Sequence, residues 1–438
     1  MTYPIWAFLL LFGAMIAGLF LGLPVAFVLG GVATIAILII WGFDGTYVLA
    51  NAAYSTFSTD TYLAIAMFLL MGNVLQKSGI ADDLYEMLFK WMGGLKGGLA
   101  MGTVIICAIF GAMCGGSGPA TVTMGLIALP SMVKRGYDRK MAMGCIAAGG
   151  VLGIIIPPSI PMIILANYGN LSVGKLFFGG VLPGILCAII YVIYIGIRCN
   201  INPAMGPVVP KEERASWAEK LASLRSLIGP LILILLVLGS IYSGAATPTE
   251  AAAIGALGSL IIALLKRKLG GGTFGDILKR TFALTAMILW ILVGANLFNV
   301  VYNYMGAYTL LNEIALAMPG GKWTVLILML LLNFVLGCLM DDFAIITLTA
   351  PLYLPIITTL GFDPLWFGIV FLLNLQMAYL TPPFGFNLFY LKSVIPKDIK
   401  LTELYKAVIP FVGMQILALV LCIIFPPIIT WLPNTLIA

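Results

Sequence analysis

The chain has 438 residues, of which 62% are hydrophobic and only 9% charged, and its mean hydropathy is +1.11. That is far outside the range of soluble domains, whose charged share is about 25%. The complete lack of histidine excludes histidine proton relays, His-ligated metals and Ser-His-Asp hydrolysis, and the net charge of +6 reads as a membrane-orientation signal, not a nucleic-acid footprint.

Repeated apolar runs of roughly 17 to 25 residues fit helices crossing a hydrocarbon core of about 30 Å, without the alternation of a barrel. The expected class is an all-α polytopic membrane protein in a lipid bilayer. The N-terminus opens at once on an apolar run without a basic n-region, so it is expected to be a first span and not a cleaved signal. Residues 4–41 are too long for one span, and Gly22-Leu23-Pro24 divides them into a helical hairpin. Residues 226–266, broken between Ser243 and Pro248, do the same. Third spans are expected at 61–77 and 283–303, each followed by an amphipathic piece, 79–94 and 306–321, suited to lie along an interface.

Next come apolar segments 99–133 and 323–359, interrupted at 114–119 and 337–342 by Gly, Ser, Pro or Asp. A straight helix does not tolerate such a middle, and each is read as a re-entrant hairpin. Helices at 141–169 and 365–391 are broken by Pro157-Pro158 and Pro382-Pro383, and spans at 177–197 and 408–430 close the two halves. The seven cysteines form no CxxC motif and are read as packing residues; no cofactor is expected.

The two halves echo one another at a fixed offset of 225 residues. Leu129-Pro130, Gly136-Tyr137-Asp138, Pro157-Pro158 and Lys175-Leu176 return as Leu354-Pro355, Gly361-Phe362-Asp363, Pro382-Pro383 and Lys400-Leu401. Counting crossings with each hairpin entering and leaving on one side makes the repeats inverted. Of the 23 Lys and Arg residues, all but Lys175 and Lys322 then fall on the side opposite the termini. By the positive-inside rule both termini are expected to be periplasmic or extracellular, with the polar linker 201–225 cytoplasmic. Residues 1–200 form the first repeat and 226–438 the second.

Non-helical backbone at membrane depth survives only where protein buries it or it lines an aqueous cavity. Inverted repeats bring such breaks together near the midplane, where freed carbonyls suit a hard cation and half-helix N-termini suit an anion. Ser117, Thr121 and Thr123 follow the first break, and Asp341, Asp342, Thr347 and Thr349 the second; Asn374, Gln376, Thr381 and Asn387 flank the second proline pair. Asp341 and Asp342 are either functional, as intramembrane charges usually are, or helix caps. Asp138 and Asp363 read as caps. With no basic residue in a buried segment, an anionic substrate would need helix N-termini, polar groups and co-bound cations, which favours cation symport.

Five motifs resemble the large membrane subunit of the tripartite ATP-independent periplasmic (TRAP) transporters. They are residues 110–130 (FGAMCGGSGPATVTMGLIALP), Gly136-Tyr137-Asp138, 153–161 (GIIIPPSIP), 247–253 (TPTEAAA) and 380–388 (LTPPFGFNL). The resemblance implies an elevator carrier in which sodium drives uptake of an organic acid, commonly a carboxylate such as a C4-dicarboxylate. A soluble periplasmic binding protein would deliver the substrate, and a separate small four-helix membrane subunit would complete the scaffold in the bacterial inner membrane. It implies one sodium site at Cys114, Gly115, Ser117, Gly153, Ile156 and Pro158, and a second at Gly337, Ala378, Thr381 and Phe384. Substrate is expected near Ser117, Asp342 and Asn387. Gly116 stands where such proteins often have a second hydroxyl, and Ala378 where a glycine is usual. The alternative is a stand-alone ion-coupled dicarboxylate or anion carrier. An intramembrane enzyme would need a nucleophile and base that this sequence lacks.

Overall fold

A computed structural model describes residues 5–436. Residue 4, where the first span is expected to begin, lies outside them, as do residues 1–3 and 437–438. In chain order the first half comprises α1 (Ile5–Phe20), α2 (Val25–Trp41), α3 (Thr46–Phe57), α4 (Thr61–Lys77), α5 (Ile80–Met92), α6 (Gly98–Cys114), α7 (Ser117–Lys134), α8 (Arg139–Val151), α9 (Ile160–Gly169) and α10 (Val173–Ile201). A linker with the short α11 (Trp217–Ser223) leads to α12 (Ile228–Tyr242), α13 (Pro248–Leu265), α14 (Gly271–Tyr304), α15 (Ala307–Ala317), α16 (Gly321–Gly337), α17 (Asp342–Thr359), α18 (Pro364–Ala378), α19 (Phe386–Lys392), α20 (Leu401–Ile424) and α21 (Pro427–Leu436). Among the described residues seven helices are long and apolar enough to cross a membrane. The chain is an all-helical, multi-pass membrane protein.

Local chemistry sets many of these boundaries. Asp138 and Asp363 cap α8 and α18, accepting from Met141 N at 2.9 Å and Leu365 N at 2.8 Å. Thr247 and Glu250 close a reciprocal capping box at the start of α13. Asp363→Ala is expected to cost about 1 kcal/mol, read as a lower unfolding temperature of the detergent-solubilised protein. The expected closing span 408–430 is two helices: α20 stops at Ile424, since Pro426 has no N–H to continue it and holds Phe425 away from helical geometry at φ −118°. The third span of the second half belongs to the 34-residue α14, and α3 was not expected at all.

Between helices in lipid, close packing and hydrogen bonds replace the hydrophobic drive. Helices α2 and α14 meet backbone to backbone, because a Cβ on Gly294 would stand 2.6 Å from the Ala26 carbonyl oxygen. Asn73 Nδ2 donates to Thr281 Oγ1 at 2.9 Å, joining α4 to α14. A second group of helices, α6 to α9 with α16 to α19, contains the most deeply buried helices, α6, α8, α9 and α18, and is flanked by α10 and α20. The two groups touch where α14 meets α17, where α4 and α5 meet α6, and where α4 meets α9. Pro351 lies inside α17 and has no N–H for the Thr347 carbonyl, which instead accepts Asn299 Nδ2 at 2.9 Å.

Candidate functional site

The first break faces a tight hairpin tip. Helix α6 ends at Cys114, Gly115 takes a left-handed φ of 69°, Gly116 is extended, and α7 starts at Ser117. Opposite, α8 gives way to a single tight turn and then to non-helical backbone until α9. Only glycines permit the approach. A Cβ on Gly111 would stand 2.8 Å from Gly153 Cα, and one on Gly153 would stand 2.6 Å from the Gly116 carbonyl oxygen. The Gly115 carbonyl accepts Ile160 N–H at 2.9 Å, pinning the tip to α9.

The structure thus brings Gly115, Ser117, Gly153 and Pro158 to one place. Among the described residues, no N–H is donated to the Ile156 or Pro158 carbonyls, although the Ile156 side chain is turned towards Gly184 of α10. Cys114 is buried, and its thiol is a soft ligand, so only its carbonyl suits a hard cation.

The second tip is built similarly. Gly337 ends α16 against Ala378, whose Cβ would be 2.5 Å from a Cβ on Gly337. Phe384 N–H reaches the Cys338 carbonyl at 3.4 Å. Neither the Gly337 nor the Thr381 carbonyl receives an N–H among the described residues, whereas Ala378 accepts from Thr381 N at 3.0 Å. The Thr381 hydroxyl donates to Met377 O at 2.9 Å, which commits its proton and leaves its lone pairs outward. Both proline pairs, Pro157-Pro158 and Pro382-Pro383, have a cis peptide bond. No cluster of three or more His, Cys, Asp or Glu side chains exists among the described residues. The groups at the two breaks are backbone oxygens and hydroxyls, which are hard donors.

The expected substrate residues separate into different environments. Asp341 is the cap of α17, accepting from Ala344 N at 3.0 Å. Asp342 is 6% exposed and is the one charged residue among the buried polar groups of the described chain. Its Oδ1 accepts the Tyr379 hydroxyl proton at 2.7 Å, and its own N–H donates to that hydroxyl at 2.6 Å. Asn387 is fully buried and works as a bridge: Nδ2 donates to Ala147 O at 2.8 Å and Oδ1 accepts Thr121 Oγ1 at 2.8 Å. Its backbone N–H meets Tyr379 O at 3.2 Å. A continuous path therefore runs from Ser117 along one turn of α7 to Thr121, then Asn387, Tyr379 and Asp342.

Sequence reasoning missed Tyr379, Tyr390 and the role of Thr121. A signal was present: at the 225-residue offset, Tyr379 stands opposite Ile154, Asn387 opposite Met162 and Tyr390 opposite Leu165. The polar residues are those at which the halves differ.

Two helical groups with paired hairpin tips facing paired helix breaks define a membrane carrier, and the architecture agrees. A solved YdaH transporter from Alcanivorax borkumensis superposes with a TM-score of 0.60 at 15% identity, covering 89% of this chain and 91% of that one; at that identity the likeness shows the fold alone.

The family is shown by sequence. Residues 12–428 match the model of the "Tripartite ATP-independent periplasmic transporter, DctM component", and the chain belongs to that family of transport proteins. It is 33% identical to the C4-dicarboxylate TRAP transporter large permease protein of Vibrio cholerae, over 98% of this chain and 97% of the relative. It is 29% identical to the ectoine TRAP transporter large permease protein of Halomonas elongata, over 95% and 97% respectively.

Proposed function

We propose that this chain is the membrane-spanning subunit of a sodium-driven importer that takes an organic acid from a periplasmic binding protein. The observation that carries the reading is the pair of matched breaks, each leaving carbonyls without N–H partners at Ile156 and Pro158 and at Gly337 and Thr381. Unpaired carbonyls inside a membrane are costly, and a cation that accepts their lone pairs removes the cost. Sodium here is cargo. It would reach the first site between Gly115, Ser117, Gly153, Ile156 and Pro158, and the second between Gly337, Ala378, Thr381 and Phe384.

Movement would be of the elevator kind, with the repeats inverted. The deeply buried group of α6 to α9 and α16 to α19 would shift against the scaffold of α1 to α5 and α12 to α15, parting Asn299 from the Thr347 carbonyl. The small membrane subunit, expected to have four helices, would cover exposed apolar scaffold faces, which carry Leu9, Phe27, Ile39 and Leu235. The charge distribution supports an inner-membrane location with both termini periplasmic.

The test is uptake into proteoliposomes that hold this chain, its small subunit and the loaded binding protein. Uptake is expected only with an inward sodium gradient, and Thr381→Ala is expected to lower apparent sodium affinity about tenfold, the loss of roughly 1.4 kcal/mol from one oxygen ligand. Equal uptake without sodium on either side, or a Thr381→Ala loss matched by a loss of folded protein, would sink the reading.

A further inference from the structure

The one buried ionisable side chain among the polar groups of the described residues is an acid, Asp342, in a carrier proposed to move anions. Asp342 Oδ1 is saturated by the Tyr379 hydroxyl and by Phe343 N–H at 3.1 Å, while Oδ2 accepts no hydrogen bond. The Ser117 hydroxyl, 5% exposed, also makes none. Neither atom is sealed among the buried unpartnered groups, so both face accessible space. A path of hydrogen bonds through Thr121, Asn387 and Tyr379 connects the two tips that carry these free groups.

Aromatic side chains stand beside both tips. Tyr390 packs over Gly118, its ring 3.3 Å from where a Cβ would stand, and Phe386 lies 5.6 Å from Tyr379, centroid to centroid. No basic side chain is buried there to neutralise Asp342. A plain carboxylate entering this space would meet like charge in a poorly hydrated site. A group that donates a hydrogen bond would instead complete the Oδ2 valence, and a charged donor would do so most strongly.

We infer that the substrate is a substituted organic acid, carrying a hydroxyl or ammonium group that donates to Asp342 Oδ2 while its carboxylate end lies towards Ser117 and the N-terminus of α7. This rests on the transport reading above and narrows it to a substrate class. The proposal reverses the usual logic of an anion site. The fixed carboxylate selects against unsubstituted acids, and the co-transported sodium ions carry the substrate's own negative charge.

The experiment uses the purified complex of this chain with its small subunit, and three four-carbon dicarboxylates that differ only at C2: succinate with hydrogen, malate with hydroxyl and aspartate with ammonium. Thermal stabilisation is measured with sodium and with potassium in its place. In sodium, malate or aspartate is expected to bind at least tenfold more tightly than succinate, and Asp342→Asn is expected to reduce that preference below threefold. Equal binding of all three acids by the wild type, no binding of any, or a preference that survives Asp342→Asn would overturn the inference. If Asp342→Asn instead removes the stabilisation given by sodium alone, Asp342 is a cation ligand and the inference is likewise overturned. Sodium stabilisation without added acid reports on the coupling reading separately, so the failure of one is distinguishable from the failure of the other.

Discussion

Gly337→Ala is expected to cut sodium-dependent uptake at least tenfold, and adding Ala378→Gly is expected to restore most of it. The new methyl would stand 2.5 Å from the Ala378 Cβ, closer than two carbons can pack, and so would push the second hairpin tip away from the end of α18. Forcing a methyl into a filled contact costs about 1–3 kcal/mol, and 1.4 kcal/mol is already a factor of ten. The Gly337 carbonyl would move with the tip. Removing the opposing methyl returns the space without touching either carbonyl, at about 0.5–1 kcal/mol for the glycine introduced in a helix. Uptake into proteoliposomes at several sodium concentrations, with protein recovery followed by gel filtration, checks both variants. A double variant no better than Gly337→Ala would show that the contact does not set the position of the tip.

That contact also illustrates what the sequence could and could not reveal. Gly337 and Ala378 are forty-one positions apart, and the resemblance placed both at one sodium site; that Ala378 leaves no room for a side chain at 337 could be seen only with both helices in place. The breaks were legible because proline and glycine interrupt a helix by local chemistry. The caps Asp138 and Asp363 were legible for the same reason, and both are observed. Local chemistry did not separate Asp341 from Asp342, since adjacent acids at a helix start read alike, and only the resemblance singled out Asp342; the structure gives the cap to Asp341 and the tyrosine pair to Asp342. Helix α3 was not expected, since nothing between the first hairpin and the span at 61–77 was assigned. In the structure its Thr56 carries buried hydrogen bonds to Ala52 and Asn296, which supply what its own sequence does not.

Asn387→Leu is expected to destabilise the folded carrier by about 1–3 kcal/mol, the usual penalty for leaving a buried polar group without its partner, and to lower uptake well beyond that loss of folded protein. Its amide holds Thr121 of the first hairpin and the Ala147 carbonyl of α8 from a position on α19, so one side chain spans both halves of the chain. Gly150 leaves the room in which Thr121 can do this, since a Cβ there would overlap its hydroxyl. Thr121→Val should cost a similar amount by orphaning Asn387 Oδ1. The double variant removes the donor and acceptor of the Thr121–Asn387 bond together, so neither is left unsatisfied, while the loss of the Ala147 contact is common to the single and double variants. Its cost is therefore expected to fall short of the sum of the singles by about 1–2 kcal/mol, the size of coupling seen between residues that touch. Thermal unfolding of all four forms measures the cycle. Additive costs would mean that the two residues act separately, and that the tips are held together by packing alone. A coupling with uptake still lost in the double variant would show that transport needs the polar link itself, because α7 and α19 must then move as one body for substrate to meet both tips at once.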